Sequence, residues 1–268
     1  MTDGRAADTP AVPLDDAVRV LDEALRPAEV PDYPGALNGL QLANRGGVRR
    51  VAAAVDFSRA SIEGAAAAGA SLLLVHHGMF WSGAQPLVGL AYERLRLLLE
   101  HDLAVYASHI PLDLHPALGN NVLLAAELGL VPNGGFARWK GNVEIGVRGE
   151  ADADTAALAA RADAFARRHG GSVRHTPIAP GRRTRRWGIC SGAGASTDTL
   201  REASERGIDT LVVGEGPHHT AVEAPERDLV VIYAGHYATE TLGVQAAARL
   251  VEERLGVPWT FVGEPTGL

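Results

Sequence analysis

Two hydrophobic rhythms alternate along this chain: helical spacing, and short unbroken apolar runs. Leu14, Val18, Leu21 and Leu25 share one face of a helix predicted over residues 14–25. Pro27, Pro31 and Pro34 then break the chain, and NGLQLA (38–43) is predicted to turn into a short strand. After Gly46-Gly47, VRRVAAAVDFS is a buried strand, and SRASIEGAAAAGA a helix capped by Ser58 or Ser61. SLLLVHH is a strand, residues 90–101 a helix, LAVYASH a strand and residues 120–130 a helix. The order β-α-β-α-β-α predicts a largely parallel sheet.

The later part of the chain repeats this pattern. WGICSG is a strand, STDTLREASERG a helix capped by Ser196 or Thr197, IDTLVVGEG and LVVIYAGH are strands, and TETLGVQAAARLVEERLG is the closing helix. AAAAGASLLLVHHG lies against ASERGIDTLVVGEG, which sets His77 opposite Glu215. SHIPLD lies against GHYATE, which sets His109 opposite His236 and Asp113 opposite Glu240. The expected fold is therefore α/β: two intertwined α/β units from an internal duplication, with mixed, mostly parallel sheets. Between the halves, NVEIGVRGE is strand-like, ADADTAALAARADAFARRHG an amphipathic helix ended by Gly170-Gly171, and SVRHTPIAPG a strand and turn. The expected bounds are residues 1–135 with 230–268 for the first unit and 136–229 for the second.

Composition narrows the class. With 268 residues, 46% of them apolar, the chain can bury a large core. A net charge of −7 excludes a broad basic nucleic-acid footprint, and nucleic acid is not an expected partner. The basic cluster RRTRR (182–186) is expected in a solvated loop or at a strand start. The single cysteine, Cys190, permits neither an intrachain disulfide nor a thiolate zinc site, and is expected in the core. No apolar run reaches membrane-spanning length, and MTDGRAADTPAVP does not resemble a secretory signal. The first dozen residues are expected to be disordered, and the location cytoplasmic.

Chemistry gathers at strand ends. His76-His77, His109, Asp113, Glu215 and His236 stand at or just past the carboxyl ends of predicted strands, where open parallel sheets place their sites, and Glu240 is one turn into the next helix. Two of these ends carry His-x-x-x-carboxylate, and a His at i shares a helix face with a carboxylate at i+4. Imidazole and carboxylate together suit Zn, Mn, Fe, Co or Ni. Adjacent His76 and His77 point apart on a regular strand, which favours two ions over one. The remaining histidines, His101, His115, His169 and His175, have no partner at ligand spacing and are expected on the surface or at caps. His218 and His219 follow Gly214-Glu215-Gly216 in the repeat position of the first metal loop, where they either line the site without binding metal or take no part in it. Asn38 and Gln41 serve either turn chemistry or substrate contact, and Asn120 and Asn121 cap a helix. No dinucleotide fingerprint, phosphate loop or serine-nucleophile elbow is present.

NGLQ, VDFS, HHGMFW, SHIPLDLHPALGNN and GHYATETLGV…GVPWTFV together resemble the NIF-three-like family of dinuclear metal-centre proteins, often labelled GTP cyclohydrolase type 2 homologs. The resemblance spans almost the whole chain. It implies duplicated α/β domains, a ring-shaped homohexamer enclosing its metal pairs, and two divalent ions held by His76, His77, Asp113, His236 and Glu240, with the Glu bridging. His109 would stand nearby in the inner cavity. The implied activity is metal-dependent hydrolysis of a small molecule, a nucleotide or phosphoester, with a bridging water or hydroxide as nucleophile. His109, Glu215 and His219 are the candidates to carry its proton. GEGPHHT departs from the Gly-Glu-Ser-Glu-Gln pattern of many members, so substrate specificity does not transfer. The alternative is a non-catalytic metal-binding scaffold or regulatory interaction protein.

Overall fold

A computed structural model describes residues 11–140 and 143–268. The described elements, in chain order, are β1 (Val12–Pro13), α1 (Leu14–Leu25), β2 (Gly39–Leu42), β3 (Gly47–Val48), β4 (Val51–Asp56), α2 (Arg59–Ala67), β5 (Leu72–His77), α3 (Gly89–Glu100), β6 (Ala104–Ala107), α4 (Ile110–Asp113), α5 (Asn120–Glu127), β7 (Gly134–Arg138), β8 (Glu144–Asp154), α6 (Thr155–Arg168), β9 (Arg174–His175), β10 (Arg183–Cys190), α7 (Thr197–Glu205), β11 (Thr210–Val213), α8 (His218–Glu226), β12 (Val230–Tyr233), α9 (His236–Leu255) and β13 (Trp259–Phe261). The fold is mixed α/β, with parallel and antiparallel strands. Of the dozen residues expected to be disordered, residues 1–10 lie outside the described ones.

The chain divides into two compact units, Met1–His109 with Val244–Glu264, and Ile110–Gly243 with Pro265–Leu268. These bounds differ from the expected ones. Strand β12 hydrogen-bonds to β11, with Val230 opposite Thr210, which keeps residues 230–233 with the second sheet. In the other direction, the segment after His109 belongs with the later residues: the Asn121 side chain accepts from Ser191 N at 2.7 Å and donates to Ile145 O at 2.7 Å.

The first unit carries a five-stranded sheet in the order β13-β4-β5-β6-β2. Strands β13, β4, β5 and β6 are parallel, and β2 closes the edge antiparallel to β6. Strands β4 and β5 are buried on both faces, so residues 51–55 and 72–75 are apolar without alternation. On one face Ile62 and Ala65 of α2 and Leu98 of α3 pack on Leu73, Val75 and Val105. The predicted helix over 14–25 forms, burying Leu14, Ala17, Leu21 and Leu25. Ala17 takes the core position that the spacing assigned to Val18, which is only half-buried.

The second unit carries a six-stranded sheet in the order β7-β8-β10-β11-β12-β9. Its strands β10, β11 and β12 are parallel, and β8 and β9 flank them antiparallel. Alternate residues serve two cores. Ile189, Val212 and Ile232 meet Leu124 of α5 and Leu158 and Phe165 of α6. Leu211, Val213 and Val231 meet Leu200 of α7 and Ala224 of α8. Two local expectations are corrected. ADAD (151–154) extends β8 against β10, and the helix begins only at Thr155, with Asp154 accepting from Ala157 N at 2.8 Å. The stretch after Gly216, placed at the repeat position of the first metal loop, contains helix α8 with Pro225 in its last turn. The basic cluster lies at the exposed start of β10, where Arg182 pairs with Asp228 and Arg183 with Asp152.

The internal repeat is visible in topology. Both units thread three parallel strands in sequence, β4-α2-β5-α3-β6 and β10-α7-β11-α8-β12. Both first helices open on a capping box, Ser58 with Ser61 and Ser196 with Thr199. One expected equivalence shifts. Val75 lies opposite Ala107, and Val213 opposite Tyr233. Counting on from those positions, His109 is level with Gly235 rather than His236. His109 is the residue before α4, whereas His236 is the first residue of α9, so Asp113 and Glu240 are likewise one position out of step.

Candidate metal centre

In the first unit, the ends of β5 and β6 bring three imidazoles together. The ligating nitrogens of His76, His77 and His109 all lie within 4.8 Å of one another. The ring centroids of His76 stand 4.8 Å from those of both His77 and His109. Thus the neighbours His76 and His77 converge although both are in β5, contrary to the alternation of a regular strand. His76 is fully buried, and His109 is 8% exposed.

Each ring is held through Nδ1. His76 Nδ1 is 2.9 Å from Ser108 O, His77 Nδ1 is 2.8 Å from Asp56 Oδ1, and His109 Nδ1 is 2.8 Å from Asp32 Oδ1. An Nδ1–H donated to oxygen fixes the tautomer and makes Nε2 the lone-pair nitrogen, the arrangement found around metal-ligating histidines. Asp32 is itself fixed by Asn38 Nδ2 at 2.8 Å and Tyr33 N at 2.7 Å. Burial would raise the Asp32 carboxyl, but His109, Asn38 and the Tyr33 N–H outweigh it and hold the group below its usual range. Asn38 also accepts from His109 N at 2.8 Å, so it positions His109 from both sides. Gln41 pins the loop after the histidines, accepting from Met79 N at 2.7 Å and donating to Ala36 O at 2.9 Å. The exposed rings of Trp81 and Tyr33 flank the trio, with Trp81 centred 4.7 Å from His77 and 4.6 Å from His109.

In the second unit, His236 and Glu240 share a face of α9, with Nε2 and Oε2 3.2 Å apart. His236 Nδ1 meets Glu215 Oε1 at 2.8 Å, which repeats the carboxylate support seen at His77 and His109. Burial opposes protonation of His236, but Glu240 and Glu215 overcome it and raise its pKa to about 9. Glu240 is 3% exposed and Asp113 8%. Asp113 accepts from Asn120 Nδ2 at 2.8 Å, and Asn120 Oδ1 accepts from Gly243 N at 2.7 Å, so Asn120 orients a carboxylate rather than merely capping α5. Gly192, at φ 60°, supplies the floor: a Cβ there would overlap Glu240 Oε1. Cys190 is buried, and burial together with Asp113 and Glu240 pushes its thiol pKa up.

These donor sets fit a divalent transition metal. The tautomer-fixed imidazoles of the trio, and the buried carboxylates beside His236, whose proton a bound cation would displace, are what Zn, Mn, Fe, Co or Ni take. Of the proposed proton carriers, His109 stands inside the imidazole trio and Glu215 supports His236. His219 lies exposed in the first turn of α8, with Nε2 3.1 Å from Thr197 Oγ1, and His218 beside it is exposed too. The supporting acids Asp56 and Asp32 escape sequence reasoning. Asp56 ends an apolar strand, which is a signal of sorts. Asp32, 77 residues from His109, gives none.

Comparison with known proteins places the molecule among relatives. The Duf34/NIF3 (NGG1p interacting factor 3) profile matches residues 12–265. A Deinococcus radiodurans protein named GTP cyclohydrolase 1 type 2 homolog is 42% identical over 255 residues, covering 95% of this chain and 94% of its own. A solved structure described as protein ybgI, of unknown function, superposes with a TM-score of 0.85 at 31% identity, covering 96% of this chain and all of its own (100%). A crystal structure of a Thermus thermophilus protein gives 0.79 at 36%, with coverages of 96% and 100%.

Proposed function

The chain belongs to the Duf34/NIF3 family, and on that footing we propose that it is a dinuclear metal-dependent hydrolase acting on a nucleotide or phosphoester. The observation that carries this reading is the support of four imidazoles through Nδ1, three by carboxylates and one by a backbone carbonyl. So many oriented Nε2 atoms are costly to build unless something binds them. In this reading His76, His77, Asp113, His236 and Glu240 would hold two divalent ions. Bound ions of this kind supply Lewis acidity and lower the pKa of water toward neutrality. His109, held by Asp32 through Nδ1, would take up and release a proton at its lone-pair Nε2, and Glu215 keeps His236 aligned. Trp81 and Tyr33 offer aromatic faces to a planar substrate. His219 is retained as a proton carrier only for a substrate that reaches α8.

Assembly as a homohexamer belongs to the same reading. Tyr92 and Leu99, 51% and 59% exposed and two turns apart on α3, supply apolar surface for a subunit contact. A cytoplasmic setting is part of the same reading; separately, no helix among the described residues is long and apolar enough to cross a membrane. The second reading, a metal-binding interaction protein without turnover, is favoured by that same exposed apolar face.

The deciding experiment is metal analysis of purified protein, then a panel of nucleotides and phosphoesters with each added metal. We expect about two ions per chain, and activity that a chelator abolishes and a divalent ion restores. Full metal content in a His77→Ala, His236→Ala double variant would remove the metal assignment. Metal-loaded protein inert toward the whole panel would leave the interaction reading.

A further inference from the structure

Next to the imidazole trio, the first unit contains a cavity of about 240 Å³ that none of the proposed metal chemistry uses. Phe57, Met79, Phe80, Leu90 and Leu95 form its apolar walls, and Arg94 of α3 brings a cation into it. The Arg94 guanidinium stands over the Phe57 ring, 5.7 Å from the centroid. Its Nε is buried without a hydrogen-bond partner, and no acid pairs with Arg94 among the described residues. The contrast with Arg96 is sharp. Two residues along the same helix, Arg96 is bound by Glu93 at 3.0 Å and by Glu100 at 2.5 Å.

A partly desolvated guanidinium without an anion is unfavourable, and a charge-assisted bond to an oxyanion relieves it. No acidic side chain lines the cavity. The walls specify the rest of the ligand. Two phenyl rings and aliphatic groups accept a flat apolar body, and the volume suits a single substituted ring. Gln85 and Ser82 add hydrogen-bonding capacity at the rim. The cavity also adjoins the imidazoles through the backbone, since Phe57 N donates to His77 O at 2.9 Å.

We propose that this cavity is a binding site for a small aromatic anion, with its oxyanion on the Arg94 guanidinium and its ring between Phe57 and Phe80. The site rests on the geometry of the first unit alone and presumes no hydrolysis.

The test uses the full chain with its metal in place and calorimetric titration with benzenesulfonate, because a sulfonate is a weak ligand for transition metals and does not report the imidazoles. Saturable binding with one ligand per chain is expected, with methanesulfonate and benzyl alcohol at least tenfold weaker because each lacks half of the recognised group. Arg94→Gln should weaken benzenesulfonate at least tenfold, and Arg94→Lys less, since a point charge replaces the planar donor. Ala91→Leu, which fills the cavity while leaving the cation, should abolish binding without changing metal content. Absence of saturation at millimolar benzenesulfonate, or equal affinity in wild type, Arg94→Gln and Ala91→Leu, would overturn the proposal.

Discussion

Replacing Gly192 with Ala should damage one carboxylate and little else. Gly192 sits at φ 60°, and an Ala there costs about 1–2 kcal/mol in the left-handed region. Its backbone cannot easily yield, because Gly192 N donates to Thr239 Oγ1 at 3.0 Å and Gly192 O accepts from Glu215 N at 2.8 Å. The new methyl would overlap Glu240 Oε1 and lie 3.3 Å from His236 Nε2. Glu240 must therefore swing aside by about 1 Å to regain van der Waals distance. Leaving its rotamer costs roughly another 0.5–1.5 kcal/mol. The total is about 1.5–3.5 kcal/mol, or roughly 3–14 °C in Tm for a chain of this size. A shift of that length also exceeds the tolerance of a metal–oxygen bond near 2.0–2.2 Å, so metal content should fall. Gly181→Ala is the control: φ is 73°, but its Cβ would meet nothing within 4 Å. It should cost only the backbone share and keep all metal. The assay is thermal unfolding and metal analysis of both variants, with and without added metal. Equal losses of stability and full metal in both would refute the argument from Glu240.

Three further outcomes follow from the geometry. Asp56→Ala removes the acceptor of His77 Nδ1 and should weaken metal binding by about 10–100-fold, measured by competition with a coloured chelator, while Asp56→Asn should lose less; unchanged affinity in Asp56→Ala would mean that the contact orients nothing. In metal-free protein, His236 has a folded pKa of about 9, above its unfolded value, so its stabilisation is present below about pH 6.5 and lost as pH rises through 9, by at most about 3 kcal/mol. Thermal midpoints should fall across that window and flatten in Glu240→Gln; a flat wild-type profile would contradict the assignment. Cys190, buried and with its thiol pKa raised, should resist a thiol reagent at pH 8 until the chain unfolds; rapid labelling of native protein would show its packing to be open.

Much of this molecule is legible in the chain itself, and the exceptions have physical causes. Apolar runs ending in His76-His77, Ser108-His109 and Gly235-His236 announce strands whose carboxyl ends carry chemistry, and all three form. The capping serines Ser58 and Ser196 mark both first helices. Helix α8 is masked by Pro225, a residue that cannot donate a backbone hydrogen bond one turn back and that ordinarily marks a break, here in the last turn. The ADAD segment has helical composition, yet β10 offers it a ladder and Asp154 a cap, so pairing overrides propensity. The acids behind the histidines are the least visible. Asp32 and Asn38 reach His109 across 77 and 71 residues, and no local pattern encodes such a meeting. The offset between His109 and His236 is hidden for another reason, because aligning the two motifs on their histidines erases a one-residue shift that only the strand ladders reveal.

The acceptor behind His76 differs in kind from the others. Three of the supported rings lean on side chains, which a single nucleotide change can replace. His76 leans on the carbonyl of Ser108, part of the main chain at the end of β6, and no substitution deletes it. Its orientation is thus inherited from the sheet itself. Across evolutionary drift, the other three imidazoles can be retuned in basicity one acid at a time, while His76 remains the fixed point against which they vary.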